Sequence, residues 1–204
     1  MAKLAQTSYP IHDLLQRRWS PRAFSQKPVD TQTLTRLFEA ARWAPSWRNQ
    51  QPWYFIIATK DNPDEHRRLF DCLTPANQRW AGHAPVLIVA VAKRCFDHND
   101  QPNPTALYDT GQAVAHLSLE AMAHNLYVHQ MGGVSLDRVR EIYAIPEAYQ
   151  PVVALAIGYL GQAEMLPEDL REREMAGRTR RPLSQTVFQG TWEQSAELAS
   201  IGES

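Results

Sequence analysis

Two cysteines, Cys72 and Cys95, are all the thiol chemistry in this 204-residue chain. They follow no metal-type spacing and cannot build a disulfide framework, so neither a zinc site nor a cystine scaffold is expected. Long apolar runs are also missing. The longest, Pro85 to Ala92, is far short of the roughly 20 residues that a helix needs to cross a bilayer. Met1 to Pro10 lead into no apolar stretch, so no secretory leader is read there and the cytoplasm is the default location. There is no internal repeat, low-complexity tract or Gly/Ser linker, and the length suits one domain over 1–204. Signatures of amino-acid catalysis are absent: no G-x-S-x-G, no P-loop, no H-E-x-x-H, and no G-x-G-x-x-G after a strand. The seven histidines (His12, His66, His83, His98, His116, His124 and His129) are scattered. His116 and His124 fall eight apart on one predicted helix, but a metal there lacks a third ligand. No metal is expected.

What is present is arginine, 17 residues against 4 lysines in a chain whose net charge is only −1. The balance is uneven, with eight basic and three acidic residues from Met1 to Arg48. Arg17, Arg18 and Arg22 crowd within six residues around Ser20 and Pro21. Like charges that close repel one another unless an anion joins them. Guanidinium groups give forked, charge-assisted bonds to phosphate oxygens, and a hydroxyl adds another. A nucleic-acid module could use such a segment, but the chain carries no recognition motif and part of the basic surplus lies on a helix with an apolar stripe. An anion site beside missing side-chain chemistry points to a phosphorylated cofactor that carries the reaction itself.

Periodicity places the elements. Pro10 suits the first turn of a helix with Ile11, Leu14, Leu15 and Arg18 on one face. Asp30 caps a helix over 31–43 whose stripe is Leu34, Leu37, Phe38 and Ala41. Trp53 to Ala58 reads as a strand, and Pro85 to Ala92 as a strand covered on both faces. A helix from Asn62-Pro63 to about Leu73 and a short one near 77–82 lie between them. Phe96 to Pro104 is a polar loop, and 105–126 a long, charge-poor helix. A short strand at 127–131, a helix capped by Ser135 and a strand over 151–159 follow, before a charged tail. The elements are mixed and the strands are separated by helices, which makes this a sheet with helices packed on it.

Two segments carry a resemblance: Arg18-Trp19-Ser20-Pro21-Arg22-Ala23-Phe24, and Ala44-Pro45-Ser46-Trp47-Arg48-Asn49-Gln50-Gln51-Pro52-Trp53. In order after them come Asn77-Gln78-Arg79-Trp80, Ala84 to Val89, Met131-Gly132-Gly133, Ala156 to Gly161, and Arg178-Thr179-Arg180-Arg181-Pro182-Leu183. The set resembles the FMN-dependent nitroreductase family over about residues 10–188, leaving 189–204 as a C-terminal tail. The resemblance implies an α+β fold, a central, mostly antiparallel sheet flanked by helices, in an intertwined homodimer with FMN at the interface. It puts the FMN phosphate on Arg18, Arg178 and Arg180, and the flavin near Ser20, with Trp19 beside the ribityl chain. Arg22 and Asn77 would meet the pyrimidine edge, and Met131, Gly132 and Gly133 would pass near N5. Pro45, Ser46, Trp47 and Asn49 would come from the partner subunit.

By the same resemblance, NADH or NADPH gives hydride to flavin N5, and a nitroaromatic, quinone or similar conjugated acceptor takes it in a ping-pong cycle without a catalytic side chain. Reduced flavin gathers negative charge at N1 and the C2 carbonyl, where a fixed guanidinium such as Arg22 lends electrostatic support. A flavin-binding sensor or carrier, or a flavin-consuming relative that does not turn over nicotinamide, needs the same binding residues. Taken alone, Gly132-Gly133 read first as a plain turn, and Pro45 to Pro52 equally as a helix exit. Trp80 stands where some family members carry a lysine near the flavin. Only the 96–104 loop separates the Val86 strand from the long helix, so a long substrate lid is missing and an open pocket is expected.

Overall fold

A computed structural model describes residues 3–200. Its residues gather into two compact units: Trp19–Met175, and the two ends of the chain, up to Arg18 and from Ala176.

The larger unit is built on a four-stranded antiparallel sheet of order β1-β2-β4-β3, with β1 Trp53–Thr59, β2 Val86–Lys93, β3 Leu126–Met131 and β4 Tyr149–Tyr159. β2 lies between β1 and β4, and its apolar run is buried from Val86 through Ala92. Side chains alternate across a strand, and β2 divides accordingly. Leu87, Val89 and Val91 enter one core, while Val86, Ile88 and Ala90 enter the other. Fully burying a side chain of this kind contributes roughly 1.5–3 kcal/mol. A continuous apolar strand is the habit of parallel sheets. Here the same pattern arises in an antiparallel one, because helices cover both faces. The β2–β4 register slips between Ala90 and Val91, opposite Pro151, which has no N–H to give to a ladder.

On one face, α1 (Thr31–Arg42) packs against α2 (Ala106–Ala123). Asp30 caps α1 by accepting from the Thr33 amide at 2.8 Å, and Leu34, Leu37 and Ala41 point inward with Ala113, Val114, Leu117 and Ala121 of α2. The opposite face is covered by α3 (Pro63–Phe70), α4 (Pro75–Ala81), α5 (Leu136–Ile142) and α6 (Glu168–Met175), which supply Leu69, Trp80, Val139 and Leu170. Prolines at the starts of α3 and α4 occupy positions where no N–H is required. In the smaller unit the first helix is a single turn, Asp13–Arg17, not one begun by Pro10; the His12 Nδ1 caps it by accepting from the Leu14 amide at 3.2 Å. No helix among the described residues is long and apolar enough to cross a membrane.

Candidate functional site

The smaller unit holds the arginine cluster. Arg178 donates through Nη1 to the carbonyls of Lys3 (2.8 Å) and Gln16 (3.0 Å), and through Nη2 to that of Arg18 (2.7 Å). One guanidinium thus ties the N-terminal segment to the exit of the Asp13–Arg17 turn. Arg180 is exposed and, among the described residues, donates to the neighbouring Thr179 carbonyl. Burial first, then the charges of Arg178 and Arg180, push the Arg18 guanidinium below its usual pKa. Arg178 is lowered likewise, by burial and then by Arg180. Three cations held this close favour an anion among them.

In the larger unit, the chain from Trp19 to Phe24 runs along the core. Trp19 is buried with its ring edge-on to Tyr127, so it offers solvent little of its indole. Ser20 and Arg22 are half-buried. The Arg22 amide donates to both carboxylate oxygens of Glu174 at 3.0 Å, and the Ala23 amide to Oε1 at 3.1 Å. The Pro21 carbonyl pairs with His129 Nδ1 at 2.8 Å. A carbonyl only accepts, so Nδ1 carries the proton. Burial is the main reason that the His129 pKa falls to about 4, with the Arg22 charge adding to it, and the ring is neutral at pH 7. Among the described residues no carboxylate lies within 4 Å of the Arg22 guanidinium. Phe24 bridges Leu160, and a Cβ on Gly161 would stand 2.7 Å from the Phe24 carbonyl carbon, so that close approach requires glycine.

Asn77 and Gly133 meet directly. The Gly133 carbonyl accepts from Asn77 Nδ2 (2.9 Å), the Thr74 amide (3.0 Å) and Thr74 Oγ1 (3.1 Å). One amide hydrogen of Asn77 is therefore spent within the protein. Met131 puts its side chain in the core. Gly132 is exposed, with nothing within 4 Å of where a Cβ would stand.

Pro45, Ser46 and Trp47 lie elsewhere, across a cleft of about 520 Å³ from Thr105, Tyr108 and Asp109 at the start of α2. The Trp47 amide donates to Asp109 Oδ2 at 3.1 Å, and Ser46 Oγ accepts from the Gln51 amide at 2.9 Å. Arg48, Asn49 and Gln51 all have positive φ, an uncommon backbone for non-glycine residues that costs energy and clusters at functional segments. Asn49 does not line the cleft. The 96–104 loop is folded back on itself, with Phe96 buried and Cys95 bridged to Pro102.

Trp80, which stands where some family members carry a lysine, lies inside the protein. Only 2 % exposed, it is a core residue packed between Phe24 and His129, with ring centroids 6.2 and 4.5 Å away. Its volume and flat faces, not its surface, determine its place. Glu174, His129 and Asp109 were not singled out for a site role in the sequence. Glu174 sits in a run of charge that reads as solvated, and the other two lie in apolar periodicity that reads as core. Among the described residues no group of three or more metal-ligating side chains occurs.

The profile of the nitroreductase family matches residues 15–73 and 64–159, which together span most of the larger unit. This chain belongs to the nitroreductase family. A crystal structure described as an oxidoreductase containing FMN superposes with a TM-score of 0.87 at 35% identity, covering 93% of this chain and 96% of that one. A Streptomyces coelicolor protein whose name reads NADH dehydrogenase/NAD(P)H nitroreductase is 36% identical over 77 residues, 37% of each chain. The 5,6-dimethylbenzimidazole synthase of Rhodospirillum rubrum is 26% identical over 179 residues, 76% of this chain and 84% of that protein. As a nitroreductase-family oxidoreductase, the chain has the α+β fold with an antiparallel sheet that the resemblance implied.

Proposed function

We propose that this nitroreductase-family chain binds FMN and uses it to pass hydride from NADH or NADPH to a flat, conjugated acceptor such as a nitroaromatic or a quinone. The observation that carries the reading is the crowding of Arg18, Arg178 and Arg180, which, after burial, lowers the pKa of Arg18 and calls for an anion. The name of the FMN-containing structure at 35% identity supplies the cofactor, and that of the Streptomyces relative the nicotinamide.

Each unit, taken by itself, carries donors of the kind such a group needs. Arg18 and Arg180 would take the phosphate, while Arg178, with three bonds already made to carbonyls, chiefly positions Arg18 and adds charge. Ser20, Arg22 and the second Asn77 amide hydrogen offer donors to a planar ring, and bare backbone at Gly132 admits its face. FMN, when bound, supplies the two-electron hydride chemistry through N5. The guanidinium of Arg22, with no carboxylate partner among the described residues, is assigned to the pyrimidine edge. Neutral His129 holds the adjoining peptide without adding a second charge. The Pro45–Asn49 loop and the exposed Trp43 and Tyr108 (71% and 70% exposed) are assigned to a homodimer interface that completes the site.

Titrating the apoprotein with FMN and then adding NADH or NADPH with a quinone tests the proposal. Stoichiometric FMN uptake and steady nicotinamide oxidation are expected. Uptake without oxidation would move the chain to the class of flavin carriers, or of relatives that consume flavin, as its likeness to the dimethylbenzimidazole synthase would allow.

A further inference from the structure

Two side chains, the buried Glu174 and the half-buried His129, hold one peptide group. The carbonyl of Pro21 and the N–H of Arg22 belong to the same amide plane. Its oxygen meets His129 Nδ1 of β3 at 2.8 Å, and its N–H meets Glu174 of α6 at 3.0 Å. The next amide, that of Ala23, also donates to Glu174, at 3.1 Å. Glu174 is 3% exposed. Burying a carboxylate is costly, and backbone N–H groups offset that cost only when they are fixed in place. A neutral amide gripped at both ends cannot rotate about its flanking φ and ψ, so the Cα–Cβ direction of Arg22 is set.

We propose that Glu174, with His129 as its counterpart across the peptide, is a positioning residue that aims the Arg22 guanidinium at the cofactor's pyrimidine edge. The proposal rests on the assignment of Arg22 to that edge. It assigns to the one glutamate that is buried among the described residues a task unrelated to acid–base chemistry. Glu174 acts through the backbone. Its own negative charge works against reduction of a nearby flavin, whereas the aimed Arg22 cation favours it.

Those opposite signs give the test. We would prepare Glu174→Ala, Glu174→Gln, Arg22→Ala and the Glu174→Ala/Arg22→Ala double variant. Amide exchange of Arg22 and Ala23 would be followed by NMR in the apoproteins, and the midpoint potential of bound FMN measured in the holoproteins. Glu174→Ala should speed exchange of both amides at least tenfold and lower the potential in the same direction as Arg22→Ala. The double variant should be no lower than Arg22→Ala alone, because coupled residues are not additive. Glu174→Gln keeps one acceptor oxygen and should show smaller changes of the same sign, which preserves the test if the alanine variant does not fold. A potential that rises or stays unchanged in the Glu174 variants, or unaltered exchange, would overturn the proposal. If Arg22→Ala itself leaves the potential unmoved, the assignment of Arg22 to the ring edge fails, and this inference with it. Faster amide exchange in Glu174→Ala would then still record the clamp.

Discussion

Gly132 and Gly133 are neighbours in the chain, yet alanine at each should act on a different property. A Cβ on Gly133 would stand 2.6 Å from Asn77 Nδ2 and 2.7 Å from Thr74 Oγ1. Both atoms are short side-chain ends pinned to the same Gly133 carbonyl, so neither can yield without breaking its bond. Losing two such bonds costs about 1 kcal/mol each, and residual crowding about 1 kcal/mol more. Gly133→Ala is therefore expected to destabilise the apoprotein by about 3 kcal/mol, or roughly 6–12 °C in Tm for a chain of this size. Neither glycine has a positive φ, so strain of the backbone itself plays no part. Gly132 has no atom within 4 Å of its Cβ position, and Gly132→Ala should change stability by less than about 0.5 kcal/mol. If the flavin passes over that bare backbone, however, the added methyl should weaken FMN at least tenfold, about 1.4 kcal/mol. Urea unfolding with unchanged m-values, together with FMN titration by fluorescence quenching, separates the two effects. Equal destabilisation by both substitutions, or a neutral Gly133→Ala, would refute the carbonyl network as drawn.

Trp80→Ala should cost about 3–5 kcal/mol in urea unfolding, as expected of a large buried aromatic, whereas a flavin-facing residue would chiefly alter acceptor kinetics. The His129 pKa lies at about 4, below its usual 6.5, so its contribution to stability is full above pH 6.5 and lost as pH falls toward 4. His129→Asn, which can still donate to the Pro21 carbonyl, should flatten that limb in a series of melts against pH; an unchanged slope would rule out His129 as its source. Arg180→Gln should leave the melting temperature within a degree or two but weaken FMN at low salt by about tenfold, since a charge-assisted bond is worth 1.5–3 kcal/mol. The difference should shrink as ionic strength rises, and isothermal titration at two salt concentrations measures it.

Much of this was legible in the sequence. The alternating burial of β2, the Asp30 cap and the apolar stripe of α1 follow from periodicity and local chemistry, and the antiparallel sheet from the resemblance. The Arg17–Arg22 crowding is visible in the sequence, but Arg17 pairs with Asp13, and the partners that gather beside Arg18, namely Arg178 and Arg180, lie some 160 residues further along the chain. What sequence could not give were contacts between residues far apart in the chain, such as Glu174 with Arg22 or His129 with Pro21. Glu174 is one of several acidic residues along a charged helix, and only tertiary packing distinguishes the buried one. Trp80 is a similar case, since its packing between Phe24 and His129 joins residues far apart in the chain. The helix expected from Pro10 shortened to one turn because few contacts are available to pay for nucleating a longer one.

The central claim is that this nitroreductase-family chain is a flavoenzyme reduced by nicotinamide, and the visible spectrum of the purified protein tests it most directly. The protein should be yellow, or become so with FMN, and its flavin bands should bleach rapidly when NADH or NADPH is added without oxygen. A colourless protein that takes up no FMN would contradict the account and leave the arginine cluster to another anion.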